Sequence, residues 1–573
     1  MSQPLPLRSA TCCFAFALAI FLTTRRDPAT ADSVPTALLP VMIANGTGHD
    51  FTPYVPAFAE EFPSAGPPYA FLKESRRGRI VSAYPVAPAL LLTPAYAPAV
   101  WHKQATEDPS PAEWLAWARE VEPISAATIA ALGVAIFFLL ASQLLPMRSA
   151  ALALTFIYSF GTDVFSAQSQ ALWQHTTGMP LYLLGLLFAV RATRPGESGV
   201  RRRDLVLCGL AFALAVACRR TLAVAICPVA IWLVLRQPRA WPWLGAPVAL
   251  AGIALITYNS LQFGSLTGTN PSTSPWRNPD PLGTLGGLLI SPARGLLIYF
   301  PLGFLSIAGF VSALRHHDRY GRGIFIALGI GAIAHLGFIW AFRWNTWWGG
   351  HCFGARYLTD AMPAMVLLLV PFFARRQALR IALAVPLAAA AIAIHTLGAY
   401  AYPNGGWDAI PVSIDRRPER AWDWRDNPVY RCALATVRNH HGGKPRTIKD
   451  WRVSYADFPD RLSAAAGTAA LTVPLTVTNP TEKLWVGYPK INGSRLLALH
   501  AQTMDSENLL TSATPVALLR DVAPGDSVQM RIRVPLPQQP GDYLMRLGLV
   551  QESVASFEEN GAALAEIQLQ ITR

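Results

Sequence analysis

Apolar residues along the chain form eleven separate runs, each a candidate membrane-spanning helix. A hydrocarbon core about 30 Å thick needs roughly 20 mostly apolar residues per helix. The predicted spans are residues 10–23, 126–145, 149–165, 177–190, 205–218, 221–235, 244–258, 296–314, 323–342, 357–373 and 379–400. This pattern predicts a polytopic α-helical membrane domain over residues 1–400.

A long polar stretch, residues 24–123, separates the first two predicted spans. Its length far exceeds an ordinary connection, which indicates a functional loop. Residues 84–101 within it are apolar but contain four prolines. Prolines inside a helix remove hydrogen bonds, so a straight spanning helix is disfavoured here. We expect an interfacial helix on the outer face, with Tyr84, Tyr96 and Trp101 at headgroup level.

The hydrophobic period changes to two near the C-terminus. Residues 401–465 are rich in Trp, Arg and Pro and are predicted to form an irregular outer connector. Beyond them apolar residues alternate over 471–477, 528–534, 543–549 and 567–571, with turn-forming residues between these runs. The spacing predicts a small antiparallel, immunoglobulin-like β-sandwich over residues 466–573. We expect it to bind a glycan, dock a partner or brace the membrane domain.

Arginine is distributed unevenly among the short loops, and this bias predicts the orientation. With the N-terminus inside, the inner loops are 146–148, 191–203, 236–242, 315–322 and 374–380, and they hold fourteen arginines. The short outer loops hold six. By the positive-inside rule we expect a multi-pass membrane protein whose N-terminus is cytoplasmic and whose C-terminal domain lies outside.

The N-terminal run has two interpretations. Residues 29–31 have the A-x-A form of a signal-peptide cleavage site. Arg25, Arg26 and Asp27 place charge between the apolar run and that site, which favours an uncleaved anchor.

Composition agrees with a membrane protein. Of 573 residues 52% are hydrophobic and only 14% charged, about half the charge of a soluble chain. A formal net charge of +13 suggests nucleic acid, but much of it is accounted for by the inner loops, so no nucleic-acid partner is predicted. The seven cysteines show no zinc spacing, and no metal site is predicted from them.

Polar residues collect at the predicted outer ends of the spans. They are Asp32, Trp173, His175, Arg219, Arg220, Arg294, Trp347, Trp348, His351 and Arg356. Guanidinium groups match phosphate oxygens, Trp faces stack on sugars, and a carboxylate can deprotonate a hydroxyl. This collection suits glycosyl transfer from a polyprenyl-phosphate sugar at the outer face.

Each of these residues also has a purely structural interpretation. The arginines can reach lipid headgroups, and Trp347 and Trp348 can belong to an aromatic belt. His175 can be a structural hydrogen-bonding residue, and Asp32 can cap the helix that begins near Pro35. Their shared side of the membrane is what favours a common site.

The layout of a first span, a long outer loop with acidic residues, interfacial helices and many further spans resembles the GT-C class of integral-membrane glycosyltransferases. Six stretches more closely resemble those of a bacterial group of multi-span GT-C-like proteins. They are ADSVPTALLP (31–40), GRIVSAYPVAPALLLTP (78–94), SQALWQH (169–175), SPARGLLIYFP (291–301), WWGGHCFGARYL (347–358) and WDWRDNP (422–428). The resemblance covers roughly residues 10–430 and implies a GT-C-like fold in a bacterial cytoplasmic membrane, to which the apolar runs contribute about 11 spans. The C-terminal sandwich is similar to an add-on domain found after some of these proteins.

The resemblance also implies roles. It makes Asp32 the general base and places Arg219, Arg294 and Arg356 near the lipid phosphate, with Arg220 beside them. Trp173, His175, Trp347, Trp348 and His351 then line the sugar and acceptor pocket. The class often has two neighbouring acids, whereas Ser33 follows Asp32, so no cofactor is expected and a divalent metal is doubtful.

Three functions remain open at this level. The first is a glycosyltransferase whose partners are a polyprenyl-phosphate-linked sugar, membrane lipids and an envelope glycan or other acceptor. The second is a transporter or flippase of lipid-linked glycans, which predicts repeated halves and helices broken near the midplane. The third is a non-catalytic membrane scaffold with an outer binding domain.

Overall fold

The structure is a computed structural model, and it describes most of the chain. The described residues are 5–24, 31–61, 69–193, 201–266, 268, 278–315, 322–373, 378–402, 407–408, 413–415, 417–440, 450–485, 497–505, 508–513, 515–518, 521–551 and 555–572. Residues 25–30 lie outside this set; they hold the charged residues Arg25, Arg26 and Asp27 and the first two positions of the A-x-A sequence at 29–31. The chain packs as two compact units, Met1–Asn404 with Ala421–Trp424 and Gly405–Arg420 with Arg425–Arg573.

The first unit is almost entirely helical. Its helices are α1 (Leu7–Leu22), α2 (Val34–Ala44), α3 (Val55–Glu61), α4 (Ala87–Glu107), α5 (Pro111–Leu144), α6 (Arg148–Phe160), α7 (Gln174–Ala192), α8 (Arg202–Cys218), α9 (Leu222–Arg236), α10 (Trp241–Phe263), α11 (Pro281–Ile290), α12 (Leu296–Tyr299), α13 (Gly303–Arg315), α14 (Gly323–Phe342), α15 (Met362–Leu367), α16 (Leu369–Phe373) and α17 (Ala378–Ala401). A hairpin of β1 (Leu72–Glu74) and β2 (Ile80–Ser82) lies between α3 and α4.

Five helical segments among the described residues are long and apolar enough to cross a membrane. They are Pro111–Leu144, Pro238–Phe263, Gly323–Phe342, Arg356–Phe373 and Ala378–Ala401. The other predicted spans coincide with helices of 17 residues or fewer, except for α7, which has 19. For example, the 13 residues of α6 measure about 20 Å at 1.5 Å per residue, less than the hydrocarbon thickness. A membrane location is therefore plausible, and the count of eleven spans stays a prediction.

Two of the predicted spans are interrupted helices. The run at 296–314 divides into α12 and α13, with Pro301 between them. The run at 357–373 begins as a 3-10 helix, Arg356–Ala361, and continues as α15 and α16. The Ser306 hydroxyl on α13 donates to the Met365 carbonyl on α15 at 2.7 Å, joining the two interrupted segments. Side chains of this kind satisfy backbone groups that a broken helix leaves open.

The long loop between the first two predicted spans contains more helix than the hydrophobic pattern predicts. α5 begins at Pro111, fifteen residues before the predicted span, because Ser110 and Glu113 form a reciprocal capping box at its start. A helix does form in the proline-rich stretch, as α4, with Pro94 and Pro98 inside it. Tyr96 on α4 is buried and Trp101 is exposed.

The second unit is rich in β-strands. They are β3 (Ser454–Ala456), β4 (Arg461–Ala465), β5 (Ala470–Thr478), β6 (Leu497–Asp505), β7 (Asn508–Ser512), β8 (Val516–Ala517), β9 (Ser527–Pro535), β10 (Gly541–Gln551), β11 (Ala555–Ser556) and β12 (Ala565–Thr572). One sheet has the order β4-β12-β10-β6-β7, with β11 on β10 and β8 on β6, and the other has the order β3-β5-β9. Alternate residues of both sheets are buried in one core, including Val473, Ile532, Leu547 and Ile567.

Three details of this unit differ from the sequence prediction. β3 and β4 lie before residue 466, inside the predicted connector, because such short strands carry too few residues for an alternation signal. The connector also contains a helix, α18 (Pro428–His440). β4 pairs with β12 in parallel, whereas the other paired strands are antiparallel as expected.

Candidate functional site

Asp32 lies in a short 3-10 helix, Ala31–Ser33, between α1 and α2. The Tyr84 hydroxyl donates a hydrogen bond to Asp32 Oδ1. Arg356 Nη2 donates to Asp32 Oδ2 at 2.5 Å, across 324 positions of sequence. The structure therefore brings together two of the predicted site residues, and it adds Tyr84, which the sequence assigned only to the membrane surface.

The environment of Asp32 keeps its carboxyl group ionised. Burial raises its pKa, but the charge of Arg356 and the hydrogen bonds from Tyr84 and Arg356 outweigh burial and lower the pKa below its ordinary value. The Asp32 side chain retains 31% of its accessible surface, so the carboxylate is hydrogen-bonded but still accessible from outside the protein. A carboxylate in this state can accept a proton only if its contact with Arg356 loosens.

Arg356 also packs against predicted pocket residues. Its guanidinium carbon lies 4.1 Å from the centroid of the Trp173 ring, and the Trp173 and His175 rings stack with centroids 5.8 Å apart. His175 is buried, and neither of its ring nitrogens has a hydrogen-bond partner among the described residues. A buried imidazole normally makes such bonds, so its position beside Arg356 and Trp173 favours contact with a bound group over a purely structural role.

Arg294 holds the glycine-containing loop after α14. Its three nitrogens donate to the carbonyls of Trp348 (2.7 Å), Ala293 (2.9 Å) and Gly350 (3.0 Å). Gly349 and Gly350 have φ of +77° and +67°, a region that favours glycine. Arg294 is only 2% exposed, so it does not reach out to lipid headgroups. Arg356 Nη1 donates to the Gly349 carbonyl at 3.4 Å, which connects this loop to Asp32.

Replacing Arg294 with lysine is expected to loosen residues 348–350, because one ammonium cannot reproduce three diverging bonds. Each charged hydrogen bond is worth about 1.5–3 kcal/mol, so the loss of one gives about tenfold or greater acceleration of amide exchange in the loop. Hydrogen–deuterium exchange measures this directly. Arg148→Lys, at an exposed position, is the control; equal exchange in both variants contradicts the assigned contact.

Trp347 and Trp348 are both buried, at 9% and 8% exposure. The centroid of the Trp347 ring lies 6.1 Å from that of the Trp422 ring. The rings of Trp347 and Trp348 meet edge to face. They pack within the helical unit, in contrast to an aromatic belt whose rings face lipid. His351 in the same loop is exposed.

Arg219 belongs to a second cluster, which is centred on the fully buried Asp360. Its Nε donates to Asp360 Oδ1 at 2.5 Å, and the Thr221 hydroxyl donates to Asp360 Oδ2 at 2.5 Å. His335 Nε2 lies 3.8 Å from the same carboxylate and donates to the Tyr357 carbonyl. Asp360 is 0% exposed, so this ion pair is an internal contact of the helical unit.

The 3-10 helix Arg356–Ala361 connects the two clusters. Arg356 binds Asp32, Thr359 donates to Asp163, and Asp360 binds Arg219. Sequence reasoning did not single out Asp163, His335 or Asp360. The sequence did contain a signal for them, because each lies inside a predicted apolar run. An ionisable side chain there is energetically costly and is usually paired.

Arg220 is close enough to Arg343 for the two charges to interact. Burial and the charge of Arg343 lower the pKa of Arg220. The Arg343 guanidinium carbon lies 5.8 Å from the centroid of the Tyr357 ring, and Tyr357 is adjacent to Arg356 in the chain.

Among the described residues no cluster of three or more His, Cys, Asp or Glu side chains could hold a metal ion. No protein-family model matches the chain, and no curated protein matches it significantly. The functional argument therefore depends on the chemistry of the site itself.

Proposed function

We propose that the protein is a membrane glycosyltransferase that transfers a sugar from a polyprenyl-phosphate donor to an acceptor at the outer face of a bacterial cytoplasmic membrane. The observation that carries the proposal is the Asp32 carboxylate held between the Tyr84 hydroxyl and the Arg356 guanidinium. When a hydroxyl displaces a phosphate, a base can remove the hydroxyl proton and a cation can neutralise the charge on the departing phosphate.

The reaction is a single displacement. Asp32 takes the proton of the acceptor hydroxyl as the acceptor oxygen bonds to the anomeric carbon. The bond from that carbon to the phosphate oxygen breaks, and the lipid phosphate leaves with the electron pair. Attack opposite the leaving group inverts the anomeric configuration. No metal ion has a step in this scheme.

Arg356 has two partners in this mechanism. At rest it pairs with Asp32; with donor bound it neutralises charge on the departing phosphate, leaving the carboxylate free to act as a base. Trp173, which stacks on Arg356, offers the face of its ring to the sugar. His175, which stacks on Trp173, offers the sugar a polar group. Trp347, Trp348 and His351 are assigned to the acceptor side.

A transporter of lipid-linked glycans is the second candidate, and the interrupted helices favour it. The breaks between α12 and α13 and within 356–373 resemble the discontinuous helices that bind cargo in transporters. The paired Asp32 and Arg356 favour transfer over transport, because moving an intact glycolipid requires no base.

One experiment separates these functions. The purified chain is reconstituted in liposomes with a panel of polyprenyl-phosphate hexoses and pentoses carrying labelled sugars, together with envelope glycan extract. Transfer predicts labelled glycan and free lipid phosphate in equal amounts. Passage of intact glycolipid between leaflets, without bond cleavage, supports the transporter. If neither occurs with any donor, both proposals fail and the scaffold remains.

The pH dependence of transfer tests the contact between Arg356 and Asp32. Activity is lost as the pH falls through the pKa of Asp32, which Arg356 lowers. Arg356→Gln leaves burial opposed only by the Tyr84 hydrogen bond and the electrostatic effect of His351, so the pKa of Asp32 rises and the acidic limb of kcat/KM, which reports the free enzyme, moves to higher pH. Arg356→Lys keeps a positive charge beside Asp32, so its acidic limb is expected at lower pH than that of Arg356→Gln. An unmoved limb in Arg356→Gln contradicts the assignment of Asp32 as the titrating base.

A further inference from the structure

The β1–β2 hairpin is strongly basic near its turn. Its basic residues, all of them exposed, are Lys73, Arg76, Arg77 and Arg79. Glu74 is the single acidic residue between them in the chain. Arg79 lies 3.9 Å from the carboxylate of Asp50, but no carboxylate among the described residues pairs with Arg76 or Arg77. The hairpin therefore presents two guanidinium groups whose charge can be used by an anionic partner.

Hydrogen bonds within the turn fix its backbone. The Ser75 N–H donates to the Arg79 carbonyl at 2.8 Å, and the Gly78 N–H donates to the Ser75 carbonyl at 3.0 Å. The Arg79 N–H also donates to the Ser75 hydroxyl at 3.2 Å. Gly78 has φ of +71°, a conformation that favours glycine. Because the backbone is already ordered, a ligand has only side chains left to immobilise, which lowers the entropic cost of binding.

The turn packs against the C-terminal end of α10. The Arg76 N–H donates to the Gln262 carbonyl at 2.8 Å. A Cβ added to Gly264, the residue that ends α10, would lie 3.0 Å from the Arg76 Cδ, so the Arg76 side chain packs directly on this glycine. The ring of His49, from the same long loop as the hairpin, lies 3.2 Å from the Gln262 amide nitrogen. These contacts set the height of the basic turn relative to α10.

The surface of α10 below the turn is apolar and exposed. The helix belongs to the segment Pro238–Phe263, which is long and apolar enough to cross a membrane. Leu250 is 71% exposed, and Leu261 and Leu266, which lie on either side of Gln262 and Gly264 in the chain, are 58% and 67% exposed. An exposed apolar surface on a spanning helix is stable against lipid tails. The basic turn therefore lies where this surface ends, which is the level of the lipid headgroups.

A partner that matches both features combines an anionic group with hydrocarbon. The negative end of the α10 dipole attracts a guanidinium and accounts for Arg76 without any ligand. It does not account for Arg77, which has no hydrogen bond or ion pair within the described part of the chain. Residues 264–277, which follow α10, contain no Asp or Glu that could neutralise it. A phosphate diester on a lipid supplies the missing charge, and its acyl chains cover the leucines.

The basic turn is separate from the Asp32 carboxylate. The strand β2 and Ala83 lie between the turn and Tyr84, whose hydroxyl donates to Asp32. The Ala83 N–H donates to the Phe71 carbonyl at 2.9 Å, so the chain stays extended up to this point. At about 3.3 Å per residue, the five positions from Arg79 to Tyr84 span about 17 Å. A phosphate at the turn is therefore too far away to be the group that leaves beside Asp32.

We propose that the turn at 75–79 binds the phosphate of an anionic phospholipid of the bilayer, whose acyl chains lie along α10 beside Leu261. Arg76 and Arg77 supply the guanidinium groups, and the remaining basic residues of the hairpin add to the attraction. The proposal does not depend on the proposed function, because a lipid held here takes no part in chemistry at Asp32.

Removing the two charges tests the phosphate contact. Arg76→Gln combined with Arg77→Gln keeps the backbone hydrogen bond of residue 76 and most of each side-chain stem. The matched control is Arg531→Gln combined with Arg533→Gln, because these arginines are also exposed but lie on β9 of the second unit. Binding of phosphatidylglycerol and of phosphatidylcholine to purified full-length protein is measured by native mass spectrometry.

Phosphatidylglycerol is expected to bind the hairpin variant at least about tenfold more weakly than the wild type. The control variant is expected to bind it as the wild type does, and the weaker binding of phosphatidylcholine is expected to be the same in all three proteins. Equal affinity of the two variants for phosphatidylglycerol overturns the proposal.

A second measurement uses the wild-type protein and does not depend on how a variant folds. Phosphatidylglycerol at about ten times its Kd is expected to slow hydrogen–deuterium exchange of the amides at 75–79 by about tenfold. The turn at 524–526 of the second unit is exposed, has no basic residue and is expected to exchange at an unchanged rate. Equal protection of both turns, or equal protection by phosphatidylcholine, contradicts a headgroup site at the hairpin.

A soluble competitor tests the contribution of the acyl chains. Glycerol phosphate carries the phosphate of the headgroup but no hydrocarbon. At a concentration equal to that of phosphatidylglycerol it is not expected to displace the lipid, because it gains nothing from the apolar surface of α10. Displacement at equal concentration identifies a site for a soluble anion and overturns the assignment to a membrane lipid.

Discussion

Asp32→Asn is expected to lower the rate of sugar transfer by about 10²–10⁴-fold while the protein remains folded. An amide cannot take the proton of the acceptor hydroxyl, and general-base catalysis contributes about that factor. The asparagine can still accept a hydrogen bond from Tyr84, so the outer loop keeps its packing. Transfer from labelled donor, measured with the apparent KM for the donor, distinguishes a loss of kcat from a loss of binding.

Asp50→Asn is the matched control for this substitution. Asp50 lies in the same outer loop, where its carboxylate accepts from Thr52 and lies 3.9 Å from Arg79. We expect transfer by this variant to stay within about twofold of wild type, because surface ion pairs contribute little. If Asp32→Asn retained wild-type kcat, the mechanism proposed for this carboxylate would be wrong.

Arg219→Ala is expected to destabilise the helical unit by about 3–5 kcal/mol. The substitution leaves the Asp360 carboxylate, which is 0% exposed, without its cation. An uncompensated charge in such an environment costs more than the lost hydrogen bond alone. Thermal unfolding of detergent-solubilised protein, followed by circular dichroism, measures the loss as a lower Tm.

Two variants provide the comparison for Arg219→Ala. Arg220→Ala removes a cation from the neighbouring, partly exposed position and is expected to cost less than about 1 kcal/mol. The double variant Arg219→Ala, Asp360→Ala removes both charges and is expected to recover part of the stability, since the two effects are coupled. A Tm for Arg219→Ala equal to that of Arg220→Ala contradicts a buried ion pair.

The hydrophobic pattern predicted where helices form more successfully than where they break. The helix Gly323–Phe342 coincides with its predicted apolar run, because a charged residue at each end of the run marks where the apolar segment begins and stops. The break between α12 and α13 was not predicted, because both halves are apolar and the run was interpreted by hydropathy alone, although Pro301 marks the break in the sequence. α5 starts early because local capping at Ser110 extended a helix into polar sequence.

The candidate site was partly accessible from the sequence. The shared side of the membrane led to Asp32 and Arg356, and the structure joins them. Chain pattern cannot specify pairing between residues so far apart, so Arg219 and Arg294 were both assigned to phosphate before their partners, Asp360 and backbone carbonyls, were known. The roles of these residues remain predictions for the variants above.

The contact between Asp32 and Arg356 has a consequence for biosynthesis. The two residues leave the ribosome 324 positions apart, and synthesis proceeds at about 5–20 residues per second. On the order of tens of seconds therefore separates the emergence of the carboxylate from that of its cation. During this interval Asp32 has been synthesised, whereas the helices from α5 onward that complete the first unit have not. An unfinished chain therefore lacks the contact between Asp32 and Arg356 until synthesis reaches the start of the tenth predicted apolar run.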